Sequence, residues 1–131
     1  MHTKIRQEGA VLVVEFDGQL AFKARAEVLD RILPAMREQR IRRVLLDFTG
    51  AWPSRDKDDA AEVLASKLVA NARALESTAI AYLNAPHGHA EPAELVAPVV
   101  GFQVQRFYNR KVALAWLEHA AGDASNDARD P

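Results

Sequence analysis

Three short, almost wholly apolar runs, each followed by a stretch of helical periodicity, constrain this chain more than any other feature. They are Val11-Leu12-Val13-Val14-Glu15-Phe16, Arg43-Val44-Leu45-Leu46-Asp47-Phe48 and Thr78-Ala79-Ile80-Ala81-Tyr82-Leu83. Runs of this length and composition read as strands buried on both faces. Between them, Phe22, Ala26, Leu29, Leu33 and Met36 recur at spacings of three and four, which predicts a helix over residues 22–39, kinked at Pro34. Ala61, Leu64, Ala65, Leu68, Ala72 and Leu75 form a second stripe, on a helix running to about residue 75. Strands alternating with helices make a mostly parallel sheet with right-handed crossovers.

The flanks complete the pattern. Lys4-Ile5-Arg6-Gln7 alternates polar and apolar and turns at Glu8-Gly9, so it forms an antiparallel hairpin with the run at 11–16, which Asp17-Gly18 ends. Residues 49–54 read as a loop, with Ser54 as N-cap and Asp56, Asp58 and Asp59 in the first turn of the second helix. Residues 84–92 are a loop, 93–100 a short helix stopped by Gly101, and 102–108 a fifth strand. Asn109 caps a last helix whose inner face is Ala113, Trp116, Leu117 and Ala120. The expected fold class is α/β: a five-stranded mixed, mostly parallel sheet with four flanking helices in the order ββαβαβαβα. Residues 1–121 make one domain, and residues 122–131 a disordered acidic tail. The expected core is Val11, Val13, Leu45, Leu64, Leu68, Ile80, Leu83, Trp116 and Leu117.

Composition removes several function classes. The 131 residues contain no cysteine, so thiol nucleophiles, disulfides and thiolate metal sites are excluded. A net charge of −1 disfavours a general nucleic-acid binder. No run of ~18 apolar residues spans a membrane, and Met1-His2-Thr3-Lys4 lacks the apolar core of a signal peptide, so a cytoplasmic location is expected. Ser54, Ser66, Ser77 and Ser125 sit in no nucleophile elbow, and the glycines form no phosphate loop. No cofactor is implied.

The order of elements and two motifs resemble the STAS/SpoIIAA-like domains, the anti-sigma-factor antagonist fold. Val44-Leu45-Leu46-Asp47-Phe48-Thr49-Gly50 is similar to the hydrophobic-Asp-Leu-Ser-Gly strand end of STAS domains. Gly101-Phe102-Gln103-Val104-Gln105-Arg106-Phe107-Tyr108, followed by Ala113-Leu114-Ala115-Trp116-Leu117, resembles the closing strand and helix of SpoIIAA-like proteins, a group linked to the CRAL-TRIO lipid-binding fold. The resemblance implies a non-enzymatic regulatory or binding module with a protein partner. Where antagonists of this family carry Asp-Ser-Ser-Gly, with a serine that a kinase phosphorylates, this chain has Arg55-Asp56-Lys57-Asp58 and no hydroxyl. Asp56 is then either a fixed negative charge in that position or a carboxylate complementing a helix N-terminus.

The expected partner surface is Thr49, Trp52, Ser54, Asp56 and Asp58, with Trp52 either the anchor or packed over the helix that follows. His87-x-His89-x-Glu91 has the donor set of a metal site, and on an extended loop all three side chains point one way. The alternative is a solvated loop with two unpaired histidines. An enzyme of hydrolase type would use His87 or His89 as general base, oriented by Glu91 or Asp56. A carrier of a small hydrophobic or lipid-like ligand would need a cavity of ~300 Å³ or more. A symmetric homodimer is also consistent with a small module of this kind. Arg37, Arg40, Arg42 and Arg43 form one basic run, and Arg106, Arg110 and Lys111 a second; each is either an anion site or a solvated face.

Overall fold

The structure is a computed structural model that describes the backbone of residues 2–129 and the side chains of residues 2–120. Its strands are β1 (His2–Glu8), β2 (Val11–Leu20), β3 (Arg43–Pro53), β4 (Ala79–Leu83) and β5 (Gln103–Phe107). Its helices are α1 (Phe22–Gln39), α2 (Ala61–Ala70), α3 (Ala72–Leu75), α4 (Glu91–Val100) and α5 (Arg110–Arg129). The sheet order is β1-β2-β3-β4-β5, with β1 antiparallel to β2 and every other pair parallel. The mixed sheet read from the sequence is therefore the observed one, with five helices rather than four. The expected disordered tail, residues 122–131, lies outside the residues whose side chains are described.

A sheet whose strands advance in one direction, joined by right-handed crossovers, puts every crossover helix on one face. The cores follow that rule. Leu12, Val14 and Phe16 of β2, Val44, Leu46 and Phe48 of β3, and Ile80 and Tyr82 of β4 share a core with α1, α2, α3 and α4. The alternate residues Val13, Leu45, Ala81 and Leu83 face the other way and are covered by Ala113 and Leu117 of α5. Of the expected core, Val11 and Trp116 are only half-buried, because they lie at the margin of this thinner second layer. The remaining seven residues are buried.

Several local expectations are corrected. The second helix breaks at Asn71, whose side-chain Nδ2 donates 2.8 Å to the Lys67 carbonyl. Asparagine competes for backbone partners in this way and weakens a helix interior. The strand ends at Asp17-Gly18 and at Phe48 both extend, because parallel pairing carries on from Asp17↔Gly50 to Leu20↔Pro53 past an irregularity in register. Ser54 does not cap a helix: its Oγ accepts from the Asp56 amide at 3.1 Å, and α2 begins only at Ala61. The first helix, in contrast, spans Phe22–Gln39 as expected, with Pro34 on its exposed side. Among the described residues no helix is long and apolar enough to cross a membrane.

Gly101 stops α4 as expected, at φ 99°, where its amide donates 2.8 Å to the Ala97 carbonyl. A side chain is strained in that left-handed conformation. Gly101→Ala is expected to cost about 1–2 kcal/mol, read as a lower midpoint in urea; an unchanged midpoint would mean that α4 closes in some other way.

Candidate functional site

The strand ends carrying Leu20, Pro53 and Leu83 form one rim of the sheet, and three segments are stitched together above it. Thr49 donates from its amide (2.9 Å) and its Oγ1 (2.5 Å) to Asp47 Oδ1, and accepts at Oγ1 from Asn84 Nδ2 at 2.9 Å. Asn84 holds the left-handed conformation, φ 56°, that lets the chain turn away after β4. These bonds tie the end of β3 to the start of the 84–90 loop.

The acidic stretch after β3 is ordered by its own carboxylates. Asp56 Oδ1 accepts from the Asp58 amide at 2.9 Å, and the Ser54 amide donates 3.0 Å to the Leu20 carbonyl. Asp59 reaches back and accepts from the Phe22 amide at 2.9 Å. Phe22 is the first residue of α1, whose flanking Ala21 has no side chain able to cap it. Asp59 thus supplies the anionic cap from a distant loop. Asp56 and Asp58 stay exposed and complement no helix end, and Trp52 stands 57% exposed beside them rather than packed over α2.

The two histidines part company. His87 is exposed, whereas His89 is 1% exposed, so the loop does not present them on one side. Among the described residues no group of three His, Asp or Glu side chains is arranged to hold a metal. The reading of His89 as an unpaired surface histidine is also corrected. Its ring stacks on Phe22 at 4.2 Å, and Nδ1 faces Arg25 Nη1 at 3.4 Å. Arg25 is itself buried. Nη1 donates to the His89 carbonyl and Nη2 donates 2.7 Å to the Tyr82 hydroxyl, with Cζ 5.1 Å above the Phe48 ring. Burial, and then the charge of Arg25, push the His89 pKa down to about 4, with the Leu20 carbonyl pulling weakly the other way. A buried imidazole held neutral, next to a cation, makes a poor proton acceptor near pH 7. Arg25 and Tyr82 were missed in the sequence. The signal was there: Arg25 falls on the apolar stripe of α1, three residues after Phe22 and four before Leu29.

The two arginines of the second basic group are spent on carboxylates, whereas Lys111 is in no ion pair among the described residues. Arg106 grips Glu94 with two bonds of 2.7 and 2.6 Å, which holds the Glu94 carboxyl below its ordinary range. Arg110 bonds Glu8 at 3.0 Å, and Asn109 Oδ1 accepts from the Val112 amide as the expected cap of α5. The cavity between α1, α2 and the sheet measures about 30 Å³, near the volume share of one water. It is a tenth of what a carried ligand needs, so no ligand chamber opens there. An open, mostly apolar groove of about 530 Å³ lies between α2 and α4, walled by Ala61, Ala65, Pro92 and Leu95 and rimmed by Glu62 and Glu91.

A scan against protein-family models gives no match, and a search of curated proteins gives none either. Solved structures do match. The anti-sigma factor antagonist SpoIIAA in its unphosphorylated form superposes with a TM-score of 0.59 at 12% identity, covering 89% of this chain and 98% of that one. An uncharacterized protein of the DUF3478 family from Shewanella loihica PV-4, with a SpoIIAA-like fold, gives a TM-score of 0.55 at 16% identity, covering 88% and 92%. Sheet order, the single antiparallel edge strand and these superpositions agree: the chain has the STAS/SpoIIAA-like fold.

Proposed function

We propose that this chain is a non-enzymatic regulatory module that binds a protein partner through residues 49–58. The observation that carries this reading is Trp52, 57% exposed at the end of β3 and set beside the self-ordered acidic turn at Asp56 and Asp58. An exposed tryptophan on a rigid strand end offers large contact area at little entropic cost, which is how interface anchors are built. The hydrogen bonds among Ser54, Asp56 and Asp58 hold the turn in shape before any partner arrives, which lowers the ordering cost of binding. Glu62 and Glu91 rim the apolar groove between α2 and α4, with Glu91 3.5 Å from Arg106. The matching partner face is apolar at its centre, opposite Trp52, with charges of both signs around it. Asp56, in place of a phosphorylatable hydroxyl, keeps a fixed carboxylate between the exposed Arg55 and Lys57, so binding follows partner concentration and salt rather than a kinase.

The test is affinity capture from the native lysate with wild type and two variants, followed by titration of the captured protein. Trp52→Ala is expected to weaken binding by about ten- to a hundredfold, and Asp56→Ala by a smaller, salt-dependent factor. Both residues are exposed, so both variants should fold. Equal capture by all three proteins would move the partner surface elsewhere.

A further inference from the structure

A groove of about 820 Å³ opens on the opposite rim, where the strands begin. It runs between the end of α1 and the broken junction of α2 and α3, with Met36 and Ile41 in its floor. Arg37, Arg40 and Arg42 line one side, and Arg73, from the far side of the Asn71 break, closes in from the other. We infer that this groove binds a small phosphate ester with an apolar body.

Four observations converge on that ligand. The first is the state of the arginines. At the other rim Arg106 and Arg110 hold carboxylates, whereas Arg37, Arg40, Arg42 and Arg73 are in no ion pair among the described residues. Guanidinium forks left without a carboxylate match phosphate oxygens in geometry and charge. The second is the balance of charge. Glu76 is the only acid in the lining. The ends of α1 and α2 add about half a negative charge each. Against four cations this leaves about two positive charges, close to the charge of about −1.5 to −2 on a phosphate monoester.

The third observation is size and lining. The volume falls within the ~300–1,000 Å³ of small-molecule sites, and the concave, partly apolar floor suits a compact body rather than a flat surface. The fourth is backbone strain. Arg40 ends α1 at φ 55°, a left-handed conformation in which glycine is the unstrained choice. The chain carries a long cation there instead, on the lip of the groove. Local strain retained beside a binding surface is a mark of a functional position. Arg73 follows directly on the break at Asn71, and both residues line the groove.

Calorimetry with phenyl phosphate, in low-salt phosphate-free buffer, tests the proposal. Wild type is expected to bind, with affinity falling as salt rises. Arg42→Glu combined with Arg73→Glu is expected to weaken binding at least about a hundredfold. Arg40→Gly is expected to weaken it about tenfold while raising the thermal midpoint, a pairing that a merely structural arginine does not give. Phenol, lacking the phosphate, should not compete. Three results would each overturn the inference: no heat with wild type at millimolar ester, equal affinity in the variants, or binding only to vesicles containing phosphatidylglycerol with no response to the soluble ester. Trp52→Ala should leave ester binding untouched, which keeps this groove separable from the partner surface.

Discussion

Arg25→Ala is expected to lower the unfolding free energy by about 3–5 kcal/mol. Arg25 is 5% exposed and has no carboxylate within ion-pair distance among the described residues. It survives in the core because its nitrogens bond the Tyr82 hydroxyl and the His89 carbonyl, and because its guanidinium lies 5.1 and 5.2 Å from the centres of the Phe48 and Tyr82 rings. Two effects oppose each other on truncation. Losing the cation recovers its desolvation cost. Against that, the His89 carbonyl and the Tyr82 hydroxyl lose their donor, each worth ~1–3 kcal/mol when left buried, and a void opens under α1 that adds a cavity penalty. The losses outweigh the gain. Arg25→Met should cost less, since it fills much of the volume and still removes the charge. Urea unfolding followed by circular dichroism reads both variants. The 84–90 loop should also exchange its amide protons faster in Arg25→Ala, because its tie to α1 is gone. Wild-type stability in Arg25→Ala would show that the buried guanidinium carries no net structural weight.

The second large effect is acid sensitivity. In the folded protein His89 titrates near 4, against an ordinary histidine value of 6.5. Between those values the unfolded chain takes up a proton that the folded chain refuses, so stability is full above pH 6.5 and falls as the pH drops toward 4. A separation of this size is worth about 3 kcal/mol at the low end. His89→Phe keeps a ring against Phe22 and leaves the backbone carbonyl to accept from Arg25, but removes the titrating group. Its stability should therefore be flatter than wild type across the interval between the two His89 values. The carboxylates of Glu8, Glu15 and Glu94, all held low by arginines, lose their contribution only as the pH falls below their ordinary range. An equal pH slope in His89→Phe would remove His89 as its cause.

Much of this architecture was legible in residue order. The apolar runs at 11–16, 43–48 and 78–83 announced the central strands, because a strand covered on both faces leaves no position where a polar side chain is cheap. The Glu8-Gly9 turn announced the antiparallel edge strand, and Gly101 and Asn109 announced where α4 stops and α5 starts. Less was legible of the rim. The extra length of β2 and β3 depends on each being the other's partner out to Leu20↔Pro53, which neither segment signals alone. The cap of α1 comes from Asp59, a residue whose local sequence reads as part of the first turn of its own helix.

The histidine motif makes the same point most sharply. His87 and His89 are two residues apart and look equivalent in sequence, yet one is exposed and the other lies beneath Phe22 against Arg25. The partners of His89 come from α1, separated from it by 64 residues in the case of Arg25. Likewise Arg73 meets the arginines at the end of α1 in one groove, although β3 and α2 separate them in the chain. Periodicity and apolar runs report what a segment must bury, and burial of that kind sets strands, helices and their order. Which polar groups meet is set by contacts between segments distant in the chain, whose energies depend on geometry that no local pattern encodes.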